Sequence, residues 1–454
     1  GINLASNALR AFQRQLDVTG NNIGNVNTPG YSRQVADLVT PEGTTVYGVR
    51  PFTIGNGVSI GNVNRIRDQF LETRRMSENA QLGRFTTLSG GLRGVLSVYG
   101  EPSDTGIANA LDQFFNSWSA LASNPGSPGA RETVQAAGAT LASRVRTTYG
   151  QLVSAESLVT TQIDGTLARI DELAARIADL NGQIRQRVGS GDQPNELLDA
   201  RDQAIKDLSG LVDFTTYRNG DGGISVYVNQ FTLVDSVGSH AFPKTYDALT
   251  STVTDGVQTY DVRSGKLAGL FGTIAKSTGY RAQLDTFANS LRTSVNSMHS
   301  TGVNENNTTG IAFFNDANPQ TGAIDLDLDA QVKADARNIS AGVSGASGDG
   351  GLALALSRIR DDTTIAGLGG RSPTSYYADL VSGIGRDASA AEVSSGTQEA
   401  IVSQIDLQVQ SISGVSLDDE MANMMKFQRS YQAAAKALTV FDQVTEDLIN
   451  MLRR

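Results

Sequence analysis

Residues 2–26 read INLASNALRAFQRQLDVTGNNIGNV, and a seven-residue interval runs through them. Ile2, Leu9, Leu16 and Ile23 occupy one register, while Ala5, Phe12, Thr19 and Val26 follow three residues behind. On a helix the two registers merge into a narrow apolar stripe suited to meeting another helix. Gly20 and Gly24 each cost about 1 kcal/mol inside a helix, so the second half is intrinsically weak. Pro29-Gly30 then ends the segment with a turn. Residues 417–452 repeat the arrangement at the other end. Leu417, Met424, Tyr431, Leu438 and Leu452 share one position; Phe427, Ala434, Phe441 and Leu448 share its partner, with Glu420 and Thr445 as polar exceptions. Asp418, Asp419 and Glu420 load the first turn and Arg453 and Arg454 the last, both favourable to the helix dipole. Met421, Met424, Met425 and Met451 lend this segment an adaptable apolar surface.

Working inward, helical periodicity covers residues of about 63–99, 106–122 and 128–188. In the third, Leu167, Ile170, Leu173, Ile177, Leu180 and Ile184 keep a 3–4 spacing. A helix of that length is about 90 Å long, which predicts a rod. Asn195–Ser209 reads as a further short helix. From Leu211 to Val262 the pattern turns to short strands, Ile224–Val228 and Phe231–Val234, after an Asp221-Gly222-Gly223 turn. Helix resumes near 276 and runs to about Ser300. A polar stretch, Asn304–Gly310, leads into a second mixed region ending near 372, and helix returns over 374–412. The expected fold is mainly α with an inserted β-containing domain, elongated and multi-domain, with terminal coiled-coil helices plus a long-helix rod domain. The expected division is a terminal coiled-coil domain over 1–35 and 415–454, and a discontinuous helical rod domain over 36–209, 266–305 and 373–414. A β-containing outer domain is expected over 210–265 and 306–372.

Composition removes several function classes. Lys and Arg number 37 against 47 Asp and Glu, so the net charge of −10 argues against nonspecific nucleic-acid binding. The absence of cysteine excludes disulfides, thiolate metal sites and cysteine nucleophiles. With only His240 and His299, a histidine-rich metal centre is excluded too. No apolar run reaches the ~18 residues a bilayer span needs, and the N-terminus carries no cleavable signal-peptide pattern.

Candidate chemistry fares no better. Asp325, Asp327 and Asp329 imitate the opening of a calcium loop, but Ala330 and Ala336 stand where the loop needs glycine and a bidentate glutamate. An edge strand with one acidic face, alternating with Leu326 and Leu328, accounts for them better. His240 and His299 have no nucleophile elbow to serve. Asp361-Asp362 and Asp418-Asp419 are adjacent, and neighbours on a helix diverge too far to act as an acid–base pair. The glycine stretches at 348–351 and 367–370 lack the lysine of a phosphate loop and read as flexible loops. No enzyme and no cofactor site is expected.

A two-helix end buries little against the entropy of ordering 40 residues, so the terminal helices are expected to gain burial from neighbouring molecules.

The stretch Asn21-Asn22-Ile23-Gly24-Asn25-Val26-Asn27-Thr28-Pro29-Gly30-Tyr31-Ser32-Arg33-Gln34 resembles the N-terminal signature of the axial proteins of the bacterial flagellum, the rod, hook and hook-associated proteins. Its ending looks specifically like the hook-associated protein 1 branch, the first of two hook–filament junction proteins. Gly414–Asn423 and Phe427–Ala433 are similar to the other end of that family. Pro102-Ser103-Asp104, Phe114–Trp118, Leu121–Pro125, Leu197–Gln203 and Gly222–Val228 agree in order.

The resemblance implies a non-enzymatic structural subunit of the extracellular flagellum, exported by the type III apparatus without a cleaved signal. It implies a homo-oligomeric ring whose terminal helices form an inner layer. Implied partners are the hook protein, the second junction protein and an export chaperone on the C-terminal helix, with no nucleic acid and no membrane. Matching position by position, the assembly seam falls on Leu9, Phe12, Leu16, Ile23, Met424, Tyr431, Leu438, Phe441 and Leu448. Pro29, Gly30 and Tyr31 fall at the hinge between inner helix and rod domain. Family members often carry a longer variable outer region; the insertions here are compact, so an outermost domain is expected to be missing. The alternative within the class is another axial subunit: the second junction protein, hook or a flagellin-like chain.

Overall fold

The computed structural model describes residues 1–47, 52–316 and 321–453. They form two compact units, one from residues 1–82, 168–242 and 398–454, the other from 83–167 and 243–397. Arg454, expected beside Arg453 at the helix end, lies outside the described residues.

In the first unit, α1 (Ile2–Gly24) is followed by four short strands: β1 (Gln34–Val39), β2 (Thr44–Val46), β3 (Phe52–Ile54) and β4 (Ser59–Arg65). β1 pairs antiparallel with β4 across an irregularity between Ala36 and Leu38, and β2 with β3. These strands lie inside the stretch expected to be helical rod. Leu38, Val39, Phe52 and Ile54 are exposed, Val35, Ile60 and Val63 are half-buried and the small Ala36 is buried, so the large apolar residues carry little of the buried-face alternation that marks a strand in a sequence. The unit also takes in the start of α2 (Gln69–Tyr99), the end of α4 (Pro128–Gly189) and α5 (Asn195–Ser209). A three-stranded sheet, β5 (Thr215–Arg218), β6 (Ile224–Val228) and β7 (Phe231–Val234), follows the turn at residues 221–223. The end of α9 (Pro373–Ser413) and α10 (Leu417–Leu452) complete it. At 62 residues, α4 runs about 90 Å.

The second unit holds the rest of α2, α4 and α9, with α3 (Ile107–Ser123), a small sheet of β8 (Thr245–Asp247), β9 (Thr252–Thr254) and β10 (Thr259–Asp261), and α6 (Gly265–His299). Two short helices follow, α7 (Ala330–Ala334) and α8 (Gly351–Arg358). The stretch 306–372, expected to be β-containing, is corrected in its described residues to short helical turns and one isolated bridge between Phe314 and Leu328, with a second bridge from Gly342 out to Val303. The acidic alternation at 325–329 is likewise no edge strand. Asp325 pairs with Arg292 at 2.6 Å, Asp327 with Arg146 at 3.2 Å, and Asp329 caps α7 through Gln331 N. The intervening leucines, Leu326 and Leu328, are core residues. The strands expected as one outer domain over 210–265 divide between the two units, β5–β7 in the first and β8–β10 in the second.

Helix α6 begins eleven residues before the expected start, and glycine explains why. A Cβ on Gly269 would come within 2.5 Å of the Arg84 carbonyl, and one on Gly91 within 2.3 Å of the Thr273 side chain. α2 and α6 therefore approach as closely as backbone allows, and the glycines that permit it depress helical signal in the sequence.

The second unit's core gathers Phe114, Phe115, Trp118, Phe313 and Phe314 with Leu284, Phe287 and Tyr377. Trp118 meets Phe313 edge-on at 5.2 Å and His299 at 5.9 Å. His299 is fully buried; its Nδ1 lies 2.8 Å from the Ile311 carbonyl, and its Nε2 accepts from Ser340 N at 3.0 Å. Both contacts fit one neutral tautomer, and burial pushes the imidazole pKa down to about 4. The unfolded chain binds this proton below about pH 6.5 while the folded chain refuses it, so stability falls as pH drops from about 6.5 toward about 4. The shift corresponds to a loss of about 3 kcal/mol. Denaturant midpoints read by Trp118 emission at pH 4.5 and 7.5 should show that loss in the native chain, with a clearly shallower pH slope in His299→Gln. Equal slopes would contradict it.

Candidate assembly interface

The two terminal helices find each other. α1 packs along α10, and its other side lies on β1 and β4. The nine seam residues divide by depth. Leu9, Phe12, Leu16 and Ile23 on α1 are half-buried, as are Met424, Tyr431 and Leu438 on α10, whereas Phe441 and Leu448 are exposed. Leu9 and Tyr431 line one groove beside Arg10, Arg14 and Ile60. Past Leu438 the apolar residues Val440, Phe441, Val444, Leu448, Ile449, Met451 and Leu452 are open to solvent, between 38% and 82% exposed.

The fully buried residues of α1 are not the seam leucines. They are Ala5, Ala11, Gln15, Thr19 and Asn22. Gln15 and Asn22 turn to β1, Gln15 toward the Ala36 carbonyl at 3.5 Å and Asn22 Nδ2 donating to the Gln34 carbonyl at 2.9 Å. The heptad register already held Ala5 and Thr19; it missed Ala11, Gln15 and Asn22, because small and polar side chains outside the register add nothing to an apolar period.

Around it lies a polar junction. Tyr31 donates from its hydroxyl to Asn22 Oδ1 at 2.8 Å, and Gln34 N donates to the same oxygen at 3.0 Å. Burial, reinforced by the carboxylates of Asp199, Glu196 and Glu420, pushes the Tyr31 hydroxyl pKa up, so it stays a donor. Ser32 donates to Asp199 from both its amide and its hydroxyl, at 3.2 and 2.9 Å. Arg65 at the end of β4 bridges Asp199 at 2.6 Å and Asp202 at 2.9 Å, and Arg67 joins Asp202 to Glu72. Arg201, almost wholly buried, has its pKa lowered to about 10, chiefly by that burial; it donates to the Gly222 carbonyl at 2.7 Å, beside the β5–β6 turn. Arg33 N donates to the Ser413 carbonyl at 2.9 Å, tying the junction to the end of α9.

The three residues expected at a hinge sit within this junction. Pro29 is exposed, Gly30 takes φ +81, and a Cβ there would stand 3.0 Å from Gln203 Oε1. Asp199→Ala removes a 7%-exposed carboxylate along with both Ser32 bonds and one Arg65 partner. Because Asp202 still holds Arg65, a loss of about 2–3 kcal/mol is expected. Urea unfolding followed by far-UV circular dichroism would measure it, and a change below about 0.5 kcal/mol, the scale of an ordinary surface substitution, would contradict the buried-pair reading.

Among the described residues, no group of three or more His, Cys, Asp and Glu side chains is placed to hold a metal ion, and no helix is long and apolar enough to cross a membrane.

Three family models match the chain. The flagellar hook-associated protein FlgK helical domain matches residues 92–314, the flagellar basal body rod FlgEFG protein C-terminal region matches 408–451, and the flagella basal body rod protein matches 2–31. Flagellar hook-associated protein 1 of Bacillus subtilis (strain 168) is 28% identical over 499 residues, spanning 99% of this chain and 97% of that protein. The Salmonella typhimurium protein of the same name is 24% identical over 552 residues, and that of Escherichia coli (strain K12) 25% over 546, each spanning 99% of both chains. A 454-residue chain can fill only part of 552 aligned positions, so the Salmonella protein carries at least 98 residues without a counterpart here. The flagellar hook junction protein FlgK from Burkholderia pseudomallei superposes with a TM-score of 0.66 at 17% identity, covering 75% of this chain and all of that one, a likeness of fold. Both terminal helices, the helical middle and the full-length relatives agree: over nearly its whole length the chain is similar to flagellar hook-associated protein 1.

Proposed function

We propose that this chain is a structural subunit of the bacterial flagellum that joins hook to filament and assembles through its terminal helices. The observation that carries the reading is the far half of α10. From Val440 to Leu452 seven large apolar residues lie open along a helix whose near half is packed on α1. An apolar strip of that extent on a free chain marks a contact surface. In a ring of copies the inner layer would be residues 1–35 and 415–454, with Leu9, Phe12, Leu16, Ile23, Met424, Tyr431, Leu438, Phe441 and Leu448 between neighbours.

The hook below, the second junction protein above and an export chaperone on α10 before assembly are the partners this placement requires. Export without a cleaved signal follows from the same reading. Pro29, Gly30 and Tyr31 would set the angle between inner helix and outer body, the Tyr31 bond to Asn22 holding it.

Cells lacking the chain test the role. Hooks without filaments, with monomeric flagellin shed into the medium, are expected. Normal filaments would contradict the junction role, and loss of hooks as well would move the chain down the axis to rod or hook.

A further inference from the structure

Glu420 breaks the apolar seam of α10 at a position where Phe427, Ala434, Phe441 and Leu448 keep it. It is not a solvated exception: Glu420 is 2% exposed. Its Oε1 accepts from Arg33 Nε at 2.7 Å, and its Oε2 accepts from Asn22 Nδ2 at 3.1 Å. Asn22, 1% exposed, is held in turn by Tyr31 and by the Gln34 backbone on both its donor and acceptor sides. One carboxylate thus reaches α1, the segment entering β1, and α10 itself.

A seam that repeats every seven residues packs nearly as well after a slip of one heptad. A single buried polar group removes that degeneracy, because the slipped register would leave it without partners. We propose that Glu420 locks the register of α1 against α10: apolar contact holds the helices together, and the Glu420–Asn22–Arg33 tie selects which heptad faces which. The competing cause is the three-residue link, Gly414 to Ser416, between α9 and α10. The lock is a property of the free chain, so its test is independent of the junction role.

The chain has no cysteine, so introduced pairs report register without background. A side chain at Gly1 would come within 2.6 Å of the Phe441 ring. Gly1→Cys with Phe441→Cys therefore reads the native register, and Gly1→Cys with Ala434→Cys or Leu448→Cys reads a slip of one heptad either way. Each pair is oxidised mildly in the full chain, and the cross-linked fraction is measured by mass spectrometry. In the otherwise native chain the 1–441 pair is expected to exceed the slipped pairs by about tenfold, the ratio a charge-assisted hydrogen bond can set. In Glu420→Gln, whose single uncharged oxygen can still accept from Asn22, the 1–441 pair should still lead, by a smaller ratio.

In Glu420→Leu, Asn22 keeps its Gln34 bonds, and Arg33, about a quarter exposed, turns to water. The helices stay paired, and slipped pairs are expected to approach the 1–441 yield. Continued dominance of 1–441 in Glu420→Leu would overturn the proposal and give the register to the link. Loss of every cross-link with folded second-unit Trp118 emission would overturn it too, since Glu420 would then hold the helices together and not choose between registers.

Discussion

Cells carrying Leu438→Asp are expected to be non-motile and to bear hooks without filaments, although the purified variant keeps the Trp118 emission of a folded second unit. Leu438 is half-buried on α10, one heptad beyond Tyr431, in the part of the helix that packs on α1. Its removal forfeits about 1–2 kcal/mol of apolar burial, and an aspartate there brings a charge into the seam. In a ring the same defect recurs at every subunit contact, so a modest cost per copy becomes a failure of assembly. Trp118 lies in the other compact unit and is untouched by the change. Leu438→Met, which nearly conserves volume, should swim normally. Native swimming by Leu438→Asp, scored on soft agar, would remove Leu438 from the seam.

Trp118→Ala should cost about 3–5 kcal/mol, the largest stability loss of any single substitution proposed for this chain. The indole is fully buried among Phe114, Phe313 and His299, so its loss leaves a cavity walled by rings that cannot all close in. Trp118 Nε1 has no hydrogen-bond partner among the described residues. Trp118→Phe therefore loses volume but also an orphaned donor, and should cost under about 1.5 kcal/mol. Thermal unfolding by circular dichroism separates the two variants, and equal losses would mean that ring packing does not dominate this core.

Legibility of the fold in the sequence followed local chemistry. Pro128 and Gly189 bracket α4, and expectation and structure agree there to one residue; β6 and β7 stand where their β-branched runs and the turn at 221–223 predict. Apolar periodicity misled where burial and periodicity part company. Leu326 and Leu328 alternate like a strand but drop into the core from turns, while Leu38, Val39, Phe52 and Ile54 belong to strands that bury none of them. At the interface, α1 and α10 could be read from their heptads. Glu420 could not, because its partners, Asn22 and Arg33, stand almost 400 residues away and no periodic signal joins them. The same holds for Asp199 and Ser32, where a helix and a loop meet only through the tertiary fold. Apolar packing leaves a period in the sequence; the buried polar contacts that specify one arrangement leave none.

Immunogold electron microscopy of intact flagella reads the chain's position along the flagellum directly. With antibody raised to the second unit, gold confined to the boundary between hook and filament is the predicted result. Gold spread along the filament or the hook, or absent from the boundary, would contradict it.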